Sequence, residues 1–186
     1  MAQPAAPSFE EAYARIRALP AGTTGEILEP GVVRTMSRPG RAHARAAKRC
    51  LASLAGFDVE SGGSGWWVLV EYEVAFPLGR LVVPDLAGWR VSRVPELPDE
   101  TPLAIVPDWC CEVLSPTTES IDRTVKLPLH AASGVSWVWL VDPRNRTVEV
   151  FETVAGRATF TGALRDEGTA ALPPFDAPVT LVGWWS

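Results

Sequence analysis

Asp108-Trp109-Cys110-Cys111-Glu112-Val113-Leu114, then the loop-like Ser115-Pro116-Thr117-Thr118-Glu119-Ser120, then Ser136-Trp137-Val138-Trp139-Leu140-Val141 are the runs that decide the fold. The first and last are short and apolar, as buried strands are. The stretch between them, up to Ser133, contains a helix expected to begin near Ile121 or Asp122. A strand, a helix and a strand in that order form a right-handed crossover joining parallel strands.

Outward from this unit the signals are antiparallel. Gly25 to Met36 reads as two strands around Glu29-Pro30-Gly31, and Trp66–Phe76 and Leu81–Trp89 as two more joined by Pro77-Leu78-Gly79. A hairpin, 136–141 with 147–153, follows the crossover, and the polar tail turns β-like at Val179–Trp185. Ser8-Phe9-Glu10-Glu11 matches a capping box for a short helix ending at Pro20. Arg41 to Leu54 is a second helix, with Ala46, Cys50, Leu51 and Leu54 on its apolar side. The segment 92–107 carries Pro95, Pro98, Pro102 and Pro107, so it is a loop, long enough to be expected beside the site. The expectation is an α/β (α+β) fold: a mixed sheet flanked by helices. Residues 1–7 are expected to be disordered and 8–186 to form one domain.

Composition narrows the function. The chain has 186 residues, 47% apolar and 21% charged, as folded globular proteins do. No apolar run nears the roughly 20 residues of a membrane span. Met1-Ala2-Gln3-Pro4 has neither the basic start nor the apolar core of a secretory signal, so a cytoplasmic protein is expected. The net charge of −5 opposes indiscriminate binding to nucleic acid. Yet between Pro30 and Phe57 there is no acid, while Arg34, Arg38, Arg41, Arg45, Lys48 and Arg49 are all basic. Two readings of that run stand, a solvated helix face or a phosphate-facing patch. The three cysteines offer no zinc spacing and read as core. Trp66, Trp67, Trp137, Trp139, Trp184 and Trp185 fall in expected strands and cover sheet faces, a dimer interface among the uses open to them.

Two carboxylates demand a reason. Asp85 lies in Leu81-Val82-Val83-Pro84-Asp85-Leu86-Ala87 and Glu112 in an equally apolar strand. An acid in such a strand is paired, neutralised or metal-bound. Pro84 removes a ladder donor, which puts its strand at an edge or breaks it with a bulge. From Glu112 to Ser115 a strand advances about 10 Å, and a helix running back to Lys126 covers roughly 6–8 Å. A lysine side chain therefore reaches the neighbourhood of Glu112. Asp122 and Lys126, four residues apart, share a helix face and can pair. Two carboxylates and an ammonium suit Mg²⁺ or Mn²⁺ and a phosphate ester.

The same residues carry a resemblance. Pro84-Asp85-Leu86-Ala87, Glu112-Val113-Leu114-Ser115-Pro116-Thr117, Asp122-Arg123 with Lys126, Ala132-Ser133-Gly134-Val135 and Trp139-Leu140-Val141-Asp142-Pro143 resemble the Uma2 family. That family is similar to the PD-(D/E)xK nuclease superfamily. The resemblance implies a restriction-endonuclease-like core, a divalent metal (Mg²⁺ or Mn²⁺) and hydrolysis of phosphodiester bonds in DNA. It puts Asp85 and Glu112 at metal-ligand positions. The superfamily's lysine two residues after the glutamate is Leu114 here, and Lys126 stands as its migrated substitute. Pro128 is expected to kink the helix just where Lys126 must aim. The resemblance also offers Glu26 as a further metal-site acid and His43, beside Arg41, Arg45 and Lys48, at the DNA-facing side.

Cleaving both strands of duplex DNA requires two sites, so a homodimer is the expected form. The alternative is a catalytically silent binding protein that has kept the fold. A hydrolase of another phosphate ester stays open as a third reading.

Overall fold

The structure, a computed structural model, describes residues 6–36 and 39–186. Most of the stretch expected to be disordered, and Arg38 of the basic run, lie outside the described residues. Helix α1 (Phe9–Arg17) opens on the capping box: the Ser8 hydroxyl accepts from the Glu11 N–H, and the Glu11 carboxylate accepts from the Ser8 N–H at 2.8 Å. Strands β1 (Thr24–Glu29) and β2 (Val32–Met36) form the expected hairpin. Gly31 turns it at φ +77°, a conformation that favours glycine. Helix α2 (Arg41–Ser53) then buries Ala46 and Cys50.

Each of the next two expected strands is really two. Trp66–Phe76 divides into β3 (Trp66–Val70) and β4 (Val74–Phe76), with Glu71 between them at φ +46°. Leu81–Trp89 divides into β5 (Arg80–Val82) and β6 (Leu86–Arg90) around Pro84. The interruption expected at Pro84 is present but larger than a bulge, because the chain changes sheets there. Strands β4 and β5 join the first hairpin in a four-stranded sheet of order β2-β1-β5-β4. Strands β3 and β6 enter a six-stranded sheet with β7 (Trp109–Val113), β8 (Trp137–Asp142), β9 (Thr147–Val154) and β10 (Arg157–Arg165), in the order β10-β9-β8-β7-β6-β3. Within that sheet, among the described residues, β7 and β8 are the parallel pair, Glu112 opposite Leu140, as the crossover required. The six-stranded sheet's other pairings are antiparallel.

The tail departs from expectation. Arg157–Arg165 is a nine-residue edge strand, and of Val179–Trp185 only the start is strand, in β12 (Pro178–Thr180) paired with β11 (Thr169–Ala171). An edge strand with one partner and mostly solvated residues needs no apolar run to mark it.

The alternation of β7 sorts the core. Trp109, Cys111 and Val113 pack with Ala46, Cys50 and Leu54 of the second helix and with the C-terminal residues Phe175 and Trp184. Cys110 packs on the opposite side, with Val82, Phe76, Leu103 and Leu127. Glu112 shares that side. All three cysteines are buried and free, as expected. Trp66, Trp109 and Trp139 surround Phe175 with ring centroids 4.9 to 5.4 Å away. Trp66, Trp139 and Trp184 are thus core, with no face left for a dimer contact. The proline-rich loop does not border the site. It packs on the Cys110 side of the sheet around Trp89, where Trp67 and Trp89 donate their indole N–H groups to the carbonyls of Val94 and Ile105. Among the described residues, no helix is long and apolar enough to cross a membrane.

Candidate metal and active site

Asp85 sits where β6 begins. The ladder between β6 and β7 ends at Leu86 opposite Cys111, because Pro84 cannot continue it. The Asp85 carboxylate takes over, accepting the Val113 N–H at 2.6 Å. The same carboxylate lies 3.1 Å from His43 Nε2 on the second helix. Burial works to lower the His43 pKa, but the hydrogen bond and charge of Asp85, with Asp122 and Glu112 behind, outweigh it and raise the pKa.

The crossover helix solves the problem of Pro128. It starts as α3 (Glu119–Ile121), winds through a π-helical turn (Asp122–Lys126), and resumes as α4 (Leu127–Ser133). The Leu127 N–H donates to the Asp122 carbonyl five residues back. Pro128 therefore sits exposed in the first turn of α4, where its missing N–H is not needed. Lys126 reaches Glu112 from the π turn. Single π turns are frequent at functional sites, and this one carries Asp122 and Lys126 into the interior.

Lys126 Nζ lies 2.7 Å from Glu112 Oε2 and 3.1 Å from Glu26 Oε1, so the ammonium bridges the two sheets. Glu26 also accepts the Val83 N–H at 2.9 Å. The expected Asp122–Lys126 ion pair does not form, because the wider winding gives Lys126 to Glu112 and Glu26 instead. Burial opposes the ammonium, but the four surrounding carboxylates hold its pKa well above the ordinary lysine value. Glu112 is pushed up to about 8 by burial, with Asp85 and Glu26 adding to that shift and Lys126 opposing it. Burial likewise pushes Asp122 up to about 7, Glu112 contributing.

Sequence reasoning missed His130. Its Nε2 is 2.7 Å from Glu112 Oε1, and its side chain is fully buried. Burial, reinforced by the Lys126 ammonium, pushes its pKa down to about 3, so the ring is neutral. The available signal was the i, i+4 spacing from Lys126, which puts both residues on one face.

A cavity of about 860 Å³ opens on Asp85, Glu112, Asp122 and Lys126, with His43 and Arg41 at its side. Glu26 is not in the lining; it lies behind Lys126, 2% exposed. Arg41, Arg45 and Lys48 follow an i, i+4, i+7 stripe on the face of their helix away from His43 and Cys50. Of the three, only Arg41 reaches the cavity, so the expected DNA-facing set is divided between two faces.

The residues present fit a hard divalent ion. Glu26, Asp85, Glu112 and Asp122 surround a single ammonium, and oxygen donors are what Mg²⁺ and Mn²⁺ take. Among the described residues, no group of three or more His, Cys, Asp or Glu side chains is placed to hold a metal ion, so an ion here would rest on one or two carboxylates and water, as Mg²⁺ does.

Comparison with known proteins agrees with this fold. A family model described as "Putative restriction endonuclease", Uma2, matches residues 11–180. A crystal structure of a "putative nuclease belonging to DUF820" from Anabaena variabilis ATCC 29413 is 21% identical with a TM-score of 0.73. The alignment covers 96% of this chain and 97% of that one. At this identity the likeness establishes a shared fold. No curated protein matched. The motif order, the fold and a family match over nearly the whole length concur: the chain belongs to the Uma2 family.

Proposed function

We propose that this chain is a Mg²⁺- or Mn²⁺-dependent endonuclease that hydrolyses phosphodiester bonds in DNA, and that residues 8–186 act as one cytoplasmic catalytic domain. The observation that carries this reading is the meeting of Asp85, Glu112 and Lys126 at one cavity, from three separate elements. Asp85 and Glu112 would hold the ion, which would supply activation of water and charge stabilisation at phosphorus. Lys126 orients the attacking water and neutralises developing negative charge. Glu26 acts through Lys126, fixing its ammonium. Arg41 meets a phosphate at the cavity mouth, with His43 holding Asp85, while Arg45 and Lys48 contact DNA only where it wraps the helix. Duplex cleavage makes a homodimer the working form.

One observation favours the silent binding protein. Both Glu112 oxygens already have partners, Lys126 and His130. Titrating Mn²⁺ by calorimetry into the wild type and into Asp85→Ala separates the readings. Binding lost in the mutant, together with Mn²⁺-dependent nicking of plasmid DNA by the wild type alone, is the expected result. A folded wild type that binds no Mn²⁺ and cuts no DNA decides for the silent protein.

A further inference from the structure

We propose that His130 is a positioning residue which, together with Lys126, clamps the Glu112 carboxylate in a single orientation. The role rests on the reading of Glu112 as a metal ligand. A carboxylate's terminal torsion is broad and roughly two-fold, so one partner leaves it free to swing. Here each oxygen has its own partner at 2.7 Å, the Lys126 ammonium donating to Oε2 and His130 Nε2 facing Oε1, where the Nε2–H tautomer donates. Each oxygen keeps a further lone pair for an ion.

The surroundings of the imidazole argue for this use over space-filling. The ring stands edge-on to Phe76 of β4, at 5.6 Å and 78°. Its Nδ1 is buried and has no hydrogen-bond partner among the described residues. Burying a polar ring against a phenylalanine with one nitrogen unsatisfied is costly, and a leucine would fill the space without that cost. The one polar contact that offsets burial is Glu112. Because α4 starts right after the π turn, Lys126 and His130 face the strand together, and the parallel β7–β8 pairing holds the helix over it. Groups that orient a ligand in this way typically govern metal affinity by 10–100-fold.

The test uses the full chain. The ¹⁵N NMR spectrum of the imidazole without metal is expected to show an Nε2–H tautomer in a hydrogen bond. Mn²⁺ affinity by calorimetry is expected to fall about 10–100-fold in His130→Leu. His130→Gln, whose amide N–H reaches Glu112, is expected to restore most of it, while the shorter His130→Asn does not. Should His130→Leu fail to fold, the Gln and Asn variants carry the comparison. An Nδ1–H tautomer with Nε2 free overturns the clamp, as does Asn or Leu binding Mn²⁺ like the wild type. If the wild type binds no Mn²⁺, the metal reading falls, and the imidazole spectrum still decides the clamp.

Discussion

The Lys126 ammonium and the Glu112 carboxylate meet at 2.7 Å with almost no exposure, and Glu26 completes the group from the other sheet. Above about pH 8, where Glu112 is ionised, removing one partner of this buried ion pair leaves the other charge uncompensated. Lys126→Met is therefore expected to lower the unfolding free energy by about 3–5 kcal/mol, read from denaturant curves. A loss below about 1 kcal/mol, as at an exposed pair, would contradict the buried bridge.

Glu26 separates orientation from ligation. Glu26→Gln keeps the shape and the acceptor for the Val83 N–H but discards the charge facing Lys126. A stability loss of about 1–3 kcal/mol is expected, with Mn²⁺ affinity largely retained. An affinity loss as deep as that of Asp85→Ala would make Glu26 a metal ligand, as the sequence suggested.

Pro128 tests the π turn. A proline strained in a helix interior costs about 3 kcal/mol, and replacing it would stabilise the protein. Because Pro128 is exposed and its surroundings already accommodate the ring, Pro128→Ala should instead destabilise by about 0.4–1 kcal/mol through the unfolded chain. Thermal denaturation of the two proteins settles the sign.

Asp142 gives the acid limb of stability a local origin. Burial works to raise its pKa, but the N–H groups of Asn145 and Arg144 and the Asn145 amide outweigh it, holding the pKa below the ordinary 3.8. A depressed folded pKa stabilises above the unfolded value and loses that contribution as pH falls through the folded one. The gap between wild type and Asp142→Ala, about 1–3 kcal/mol near neutrality, should hold down to about pH 5 and shrink below 3.8. A gap unchanged at pH 2 would refute the assignment.

The basic stripe makes unequal predictions for its members. Each lost phosphate contact lowers the slope of log affinity against log salt by about 0.9. Arg41→Ala, at the cavity, should show that change with short duplex DNA, and Lys48→Ala none. Equal effects would mean that DNA lies across the whole helix.

What the sequence disclosed followed from local anomaly. Asp85 and Glu112 stand out because an acid within Leu, Val and Cys has no solvent, and Pro84 advertises a broken ladder. The parallel pairing of β7 and β8 followed from the helix between them. His130 was hidden because its partner lies 18 residues away on a strand, a proximity set by crossover length rather than by any local pattern. Glu71 hid a second sheet change, since nothing in Trp66–Phe76 marks the positive φ that turns the chain. Lys126 was readable as a residue but not as a geometry. The π turn that aims it ends two residues before Pro128, and no local pattern in the sequence marks it.

At Pro84 the chain leaves one sheet for the other, and Asp85 directly precedes β6 of the second. Glu26 belongs to the first sheet, Glu112 to the second, and Lys126 ties them. The site is thus a joint between two β layers, so substitutions that shift one layer against the other would detune it without touching a single acid. Substitutions among the buried residues between the layers would then alter the site while every site residue stays the same, and the cores would be more telling than the motifs.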